Sequence, residues 1–193
     1  MGAFITNFQS PIEIDDLEER FYLDGMTNLD KILSCRFNED DGCWTVPYDA
    51  QVDDVVLYMC AKTSKDHMGH ICAEIKRNGP KELLGYAEKQ RAKYKEYAGK
   101  ILAIGTVSGM PYQTESGYKH QYWKSRWYAE IKAVNLLDYP VDISEFRGYI
   151  KISRTGAITK LSSNQWSQLK QQILNKNPNL GSKEAIMDYE IHY

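Results

Sequence analysis

Trp44 stands in the run Gly42-Cys-Trp-Thr-Val-Pro47, ahead of a proline and in a stretch that reads as a loop. A tryptophan there has less reason to be core than one on a helical face, and its ring can stack on another flat ring. Tyr112, Tyr118, Tyr122 and Trp123 fall in or beside a later loop between two predicted strands and could supply facing walls. A nucleobase held by such walls gains about 1–3 kcal/mol per stacked ring. The competing reading is that these rings cover the mouth of the fold.

Charge is placed to match. The run Lys119-His-Gln-Tyr-Trp-Lys-Ser-Arg-Trp127 interleaves basic and aromatic residues, and Arg147, Lys151, Arg154 and Lys160 follow. Basic side chains contact phosphates while rings stack on bases, so the mixture suits a nucleic-acid surface. The formal net charge of −2 conceals an asymmetry: residues 1–60 carry 3 Lys or Arg against 13 Asp or Glu, and the remainder 21 against 13. A solvated surface whose two halves attract each other would have the same composition.

Other chemistries find less support. The sequence has no dinucleotide or P-loop glycine motif, kinase loop or nucleophile elbow, which removes the commonest nucleotide-hydrolysing and dinucleotide-using classes. Lys62-Thr63 follows no glycine-rich loop. His67, His70 and Cys72, with Cys60 nearby, are zinc-ligand types, but H-x-x-H-x-C is not a usual zinc spacing, and a polar loop between Thr63 and Gly79 is the reading adopted. Asp15-Asp16, Glu39-Asp40-Asp41 and Asp53-Asp54 read as solvated turns, and no Ser/His/Asp or Cys/His set stands out. No catalytic residue, metal or cofactor is expected, and nothing demands an enzyme. The four cysteines lack a C-x-x-C pair, as suits reduced, buried thiols.

The elements that would position these residues follow from periodicity. Phe4-Ile-Thr-Asn-Phe8 opens as a strand ended by Pro11, and residues 12–24 are acidic and carry no assigned element. Thr27 suits the N-cap of a short helix presenting Leu29, Ile32 and Leu33. The runs 55–60 and 101–107 are apolar and of strand length, the second with a glycine that permits close approach. From Pro80, Leu84, Ala87, Arg91, Tyr94 and Ala98 keep helical spacing up to Gly99. Lys81, Lys89, Lys93 and Lys95 read as that helix's solubilising outer face. Residues 127–134 alternate as a strand. The 17 residues from Ile150 to Trp166 hold a β-type run, a turn at Thr155-Gly156, a second β-type run and a helix start. Ser162 and Gln165 form a capping box, Leu161 and Trp166 a hydrophobic staple, and Trp166, Leu169, Ile173 and Leu174 a buried face, which makes Trp166 core. Pro178 and Gly181 stop the helix, and the tail 182–193 reads as peripheral.

At 193 residues and 42% hydrophobic content, the chain suits a single domain over 1–193. Strands of unequal length, interrupted by one long helix and closed by another, define an α+β class, with a small mixed, partly closed β-barrel flanked by helices as the expected architecture. No run approaches the about 18 apolar residues of a membrane span, and the N-terminus lacks signal-peptide features, so a cytoplasmic protein with no membrane partner is expected.

In order along the chain, Ala3-Phe-Ile-Thr-Asn7, Gly42-Cys-Trp-Thr-Val-Pro47, the strands at 55–60 and 101–107, Trp127-Tyr-Ala-Glu-Ile131 and Ile152-Ser-Arg-Thr-Gly-Ala-Ile158 resemble the YTH and EVE domains of the PUA-like superfamily. The likeness covers most of the chain, with insertions near 9–26 and 63–98. It implies a PUA-like (EVE/YTH-type) fold and a non-enzymatic reader that holds a modified base of DNA or RNA, or a free nucleotide, in an aromatic cage. By that resemblance Trp44 is one wall, Thr45 lies beside it, Asn7 contacts the base edge, and Tyr118 or Trp123 is the second wall. Ser153, Arg154 and Thr155 come from the Ser-Arg-x-Gly segment. Thr155 stands where YTH domains commonly have aspartate, which leans the likeness toward EVE domains, associated with modified cytosine and with restriction or RNA-processing systems.

With Tyr58 these residues complete the expected base pocket, and Lys124, Arg126, Lys151 and Arg154 are the expected phosphate contacts. Any cleavage would come from a separate nuclease or other effector protein. Two alternatives stay open: an ASCH-type hydrolase of modified nucleosides drawing on Lys62, Thr63 and Glu130, and a protein-interaction or inhibitor role in which the acidic first sixty residues mimic nucleic acid.

Overall fold

The apolar run Ala3-Phe-Ile-Thr-Asn-Phe8 opens the fold as strand β1 (Ala3–Phe8), buried along nearly its whole length. The computed structural model describes residues 1–34, 43–113, 126–146, 148–152 and 158–182. After β1 come α1 (Ile14–Leu23), α2 (Asn28–Leu33), β2 (Cys43–Val46), β3 (Val55–Cys60), α3 (Ser64–Arg77) and α4 (Leu84–Tyr97). β4 (Lys100–Val107), β5 (Tyr112–Gln113), β6 (Trp127–Asp142), β7 (Ile158–Leu161) and α5 (Ser163–Lys176) complete the order, with 3-10 turns at Lys81–Leu83, Ile143–Phe146 and Pro178–Ser182.

The strands form one mixed sheet in the order β2-β6-β4-β3-β1-β7, with β5 paired to the start of β6. β1 and β3 run parallel and the other pairs antiparallel. β6 gains residues on β4 at two register shifts, and Ala133 at one of them has φ 51°. Extra residues on one strand bend it and raise its twist. Gly105 faces that bulge: a Cβ there would stand 2.9 Å from Ile131 Cγ2 and 3.1 Å from Val134 Cγ2. The bend carries β2 round until Thr45 meets Thr6 of β1, Oγ1 to Oγ1 at 3.2 Å, although three strands separate β2 from β1 in the sheet. The result is a mixed α+β architecture, a curled half-barrel sheet with five α-helices among the described residues.

Strand alternation divides the core. Phe4, Phe8, Val56, Tyr58 and Leu102 face a cluster with Leu17, Leu29, Ile32, Met68, Ile71, Ile75, Ala87 and Tyr94 from α1 to α4. Ile5, Leu57, Met59, Ile104 and Leu137 face the other way, onto Leu169 and Ile173 of α5. Thr27 caps α2 as expected and also forms a box with Asp30, the Ser162–Gln165 capping box forms as its spacing predicts, and Leu161 and Trp166 each pack against the second cluster.

Several expectations are corrected. The acidic stretch 12–24 is α1, whose Ile14, Leu17 and Phe21 stripe packs on the core, with Asp15 and Asp16 in the first turn, where the helix dipole favours them. Residues 64–77 are helix α3, not a loop, because Met68, Ile71, Cys72 and Ile75 make a buried stripe. Trp44 lies in strand β2, not a loop, since Cys43 to Val46 pair with β6. Ile150 to Ile152 form no strand; both isoleucines pack into the second cluster. The buried stripe of α4 is also shifted, running through Leu83, Ala87, Gln90 and Tyr94, because Gln90 turns inward to reach Asp30. Lys81 and Lys93 are not simply solubilising: Lys81 Nζ donates to the Ile75 and Lys76 carbonyls that end α3, both at 2.7 Å, and Lys93 pairs with Asp30.

Candidate functional site

β2 ends at Val46, ahead of Pro47, and its pairing of Trp44 with Ala129 directs the indole toward the first core cluster, where it remains partly exposed. Trp44 Nε1 donates to Thr6 Oγ1 at 2.8 Å, and Thr6 is fully buried. The Thr6 hydroxyl is also 3.4 Å from the Thr45 carbonyl. The Trp44 ring meets Tyr58 edge-on, centroids 5.5 Å apart at 69°. The aromatic pair is worth about 0.5–1.5 kcal/mol beyond its burial, and a satisfied indole N–H about 1 kcal/mol. Burial drives the Tyr58 hydroxyl far above its ordinary value, so it stays protonated. The cluster is a tryptophan held in orientation by buried polar contacts between β1 and β2.

Beside it, Tyr112 of β5 donates to Cys43 Sγ at 3.2 Å and tilts against Tyr128, centroids 6.3 Å apart. Arg126 immediately precedes Trp127, which pairs with Val46. Burial pushes the Arg126 guanidinium below its usual value, with Tyr128 opposing the shift; arginine nonetheless stays charged.

Of the expected pocket, then, Trp44, Thr45 and Tyr58 come together, and Arg126 lies at the adjoining strand end. Asn7 does not join them. It pairs with Met59 and so faces the second core, on the opposite side of β1 from Thr6; its Oδ1 is buried with no hydrogen bond among the described residues. Lys151 is exposed between the buried Ile150 and the partly buried Ile152, both packed in that second cluster. Tyr118, Trp123, Lys124, Ser153, Arg154 and Thr155 lie outside the described residues. Thr6 was not anticipated. Its signal was a lone hydroxyl between Phe4 and Phe8 on the strand face that carries the aromatic residues.

The alternative sets are dispersed. Lys62 packs on Gly99 at the start of β4, whereas the Glu130 carbonyl accepts from Ser108 just past its end, so β4 separates them by roughly 25 Å at about 3.3 Å per residue. On α3, Cys72 is buried on the side away from the exposed His70, two residues being about 200° apart on a helix. Cys60 and Cys72 are free buried thiols, with burial pushing Cys60 up to about 12. The acidic first sixty residues pair with later lysines: Asp30 with Lys93, Asp49 with Lys160, and Asp53 with Lys132. Among the described residues no helix is long and apolar enough to cross a membrane. No protein-family model matches the chain, and no curated protein matches it.

Proposed function

We propose that the protein is a non-enzymatic nucleic-acid-binding module of the PUA-like, EVE/YTH type that its sequence resembles, with Trp44 as the stacking wall for a modified base or nucleotide. The observation that carries this reading is the setting of Trp44: partly exposed, its N–H committed to the buried Thr6 hydroxyl and its ring braced by Tyr58. A ring fixed in this way has little freedom left to lose when a base stacks on it, which favours binding. Arg126, partly desolvated at the adjoining strand end, supports the reading with a fixed positive charge suited to a flanking phosphate. A methyl group on the base adds roughly 1 kcal/mol of apolar burial, and a paired base would first have to leave the duplex.

The test is equilibrium binding of short fluorescent oligonucleotides, single- and double-stranded, unmodified or carrying methylcytosine, hydroxymethylcytosine or methyladenine, at two salt concentrations. One modified base is expected to bind at least about tenfold tighter than its unmodified counterpart, equivalent to about 1.4 kcal/mol. That preference should vanish in Trp44→Ala and persist in Trp44→Phe. Binding that ignores modification and is unchanged in Trp44→Ala would overturn the assignment.

A further inference from the structure

A cleft of about 440 Å³ lies between the α1–α2 turn and α4 and shares no residue with the Trp44 cluster. Tyr86, Lys89, Gln90 and Lys93 line it from α4 at i, i+3, i+4 and i+7, one stripe of that helix. Phe21 of α1 completes an aromatic wall, its ring 5.3 Å from that of Tyr86 at 52°. At the lip, Gly25 turns the chain with φ +67°, and a Cβ there would meet nothing within 4 Å.

The polar groups of this cleft are unevenly committed. The Asp30 carboxylate takes Thr27 N–H at 2.9 Å, Thr27 Oγ1 at 3.0 Å, Gln90 Nε2 at 2.6 Å and Lys93 Nζ. So many donors leave Asp30 little capacity to attract a cation. Lys89 is exposed and has no ion-pair partner among the described residues, and Lys93 has further N–H groups beyond the one directed at Asp30. The Tyr86 hydroxyl is buried with no well-formed hydrogen bond among the described residues, Gln90 being the polar group beside it. Burial, with Asp30 and Asp24 behind it, pushes that phenol up to about 12, so Tyr86 meets the cleft as a neutral ring. The groups left to a ligand are therefore the Lys89 ammonium and the outer N–H groups of Lys93, set against aromatic rings in a cleft of a size that holds small ligands.

We infer that this cleft binds a small aromatic anion, a planar ring carrying a phosphate or carboxylate group. The ring lies against Phe21 and Tyr86, and the acidic group meets Lys89 and the outer N–H groups of Lys93. Titration of the isotope-labelled full chain with phenyl phosphate, benzoate, phenol and inorganic phosphate, followed by amide chemical shifts, tests it. Phenyl phosphate or benzoate is expected to shift the amides of residues 21–34 and 84–93 saturably, and the better of the two identifies the acidic group. Phenol and inorganic phosphate should each bind at least tenfold more weakly. Lys89→Gln, which removes a cation, and Phe21→Leu, which removes one aromatic wall, should each weaken binding at least threefold, and Trp44→Ala should leave it unchanged. The inference is overturned by the lack of saturable shifts at these amides, by phenol or inorganic phosphate matching the aromatic acids, or by unaltered affinity in both variants.

Discussion

Thr6 and Asn7 show how much one residue decides. They are adjacent and polar on a strand flanked by phenylalanines, yet alternation sends Thr6 to the Trp44 indole and Asn7 to the opposite face with Met59. A strand's two faces are read from its partners, which a single sequence does not name. Thr6→Val keeps the shape and removes the acceptor, leaving the indole N–H without its buried partner. Such a loss costs about 1–3 kcal/mol, so the urea midpoint followed by tryptophan fluorescence should fall and the emission maximum should move. An unchanged midpoint and spectrum would mean that the hydroxyl does not hold the ring.

Among the elements, those with strong local signals appear where spacing put them. Thr27 and Ser162 cap α2 and α5, and β3 is the apolar run of six buried residues that its composition predicts. α1 and α3 escaped because their polar faces dominate the local composition: Ile14, Leu17 and Phe21 are spaced among acidic residues, and Met68, Ile71, Cys72 and Ile75 among lysines, histidines and acids. β2 was misread because proline and glycine flank four residues that acquire strand character only by pairing with β6. Gly105 is the element-scale test. Its substitution by Ala drives a Cβ into Ile131 and Val134 at the β6 bulge, with an expected loss of about 1–3 kcal/mol. Thermal denaturation should register a lower Tm, and an unchanged Tm would show that the bulge gives way.

At the scale of the whole molecule, the opposed charges of the two parts of the chain act inside it. Acids of the first sixty residues meet lysines from α4, β6 and β7, so the asymmetry contributes to folding as well as to any partner. Burial alone would raise the Asp30 carboxyl, but hydrogen bonds from Lys93, Thr27 and Gln90 overcome it and hold the group below 3.8, its ordinary value. A depressed folded pKa gives stability that is present above the unfolded value and lost as pH falls through the folded one. The excess stability of wild type over Asp30→Asn should therefore be full at neutral pH and shrink below about pH 4. Because the Lys93 side chain is 32% exposed, we expect about 2 kcal/mol at pH 7 for the substitution. Urea denaturation at pH 7 and pH 3 measures it, and a pH-independent difference would remove the Asp30 charge from the account.

By itself the sequence determined the α+β class, the Thr27 cap, the Ser162–Gln165 capping box, the apolar strands and the partition of charge, because these rest on spacing within a few residues or on composition alone. Tertiary structure decided which residues share a site. Trp44 reaches Thr6 and Tyr58 only because bulges in β6 curl the sheet until its first strand meets its fifth. The Phe21–Tyr86 cleft likewise exists only where Gln90 and Lys93 are drawn onto Asp30 across more than fifty intervening residues. Contacts of that range depend on how a strand bends and which helix face turns inward, and those are settled by packing between distant segments rather than by local pattern.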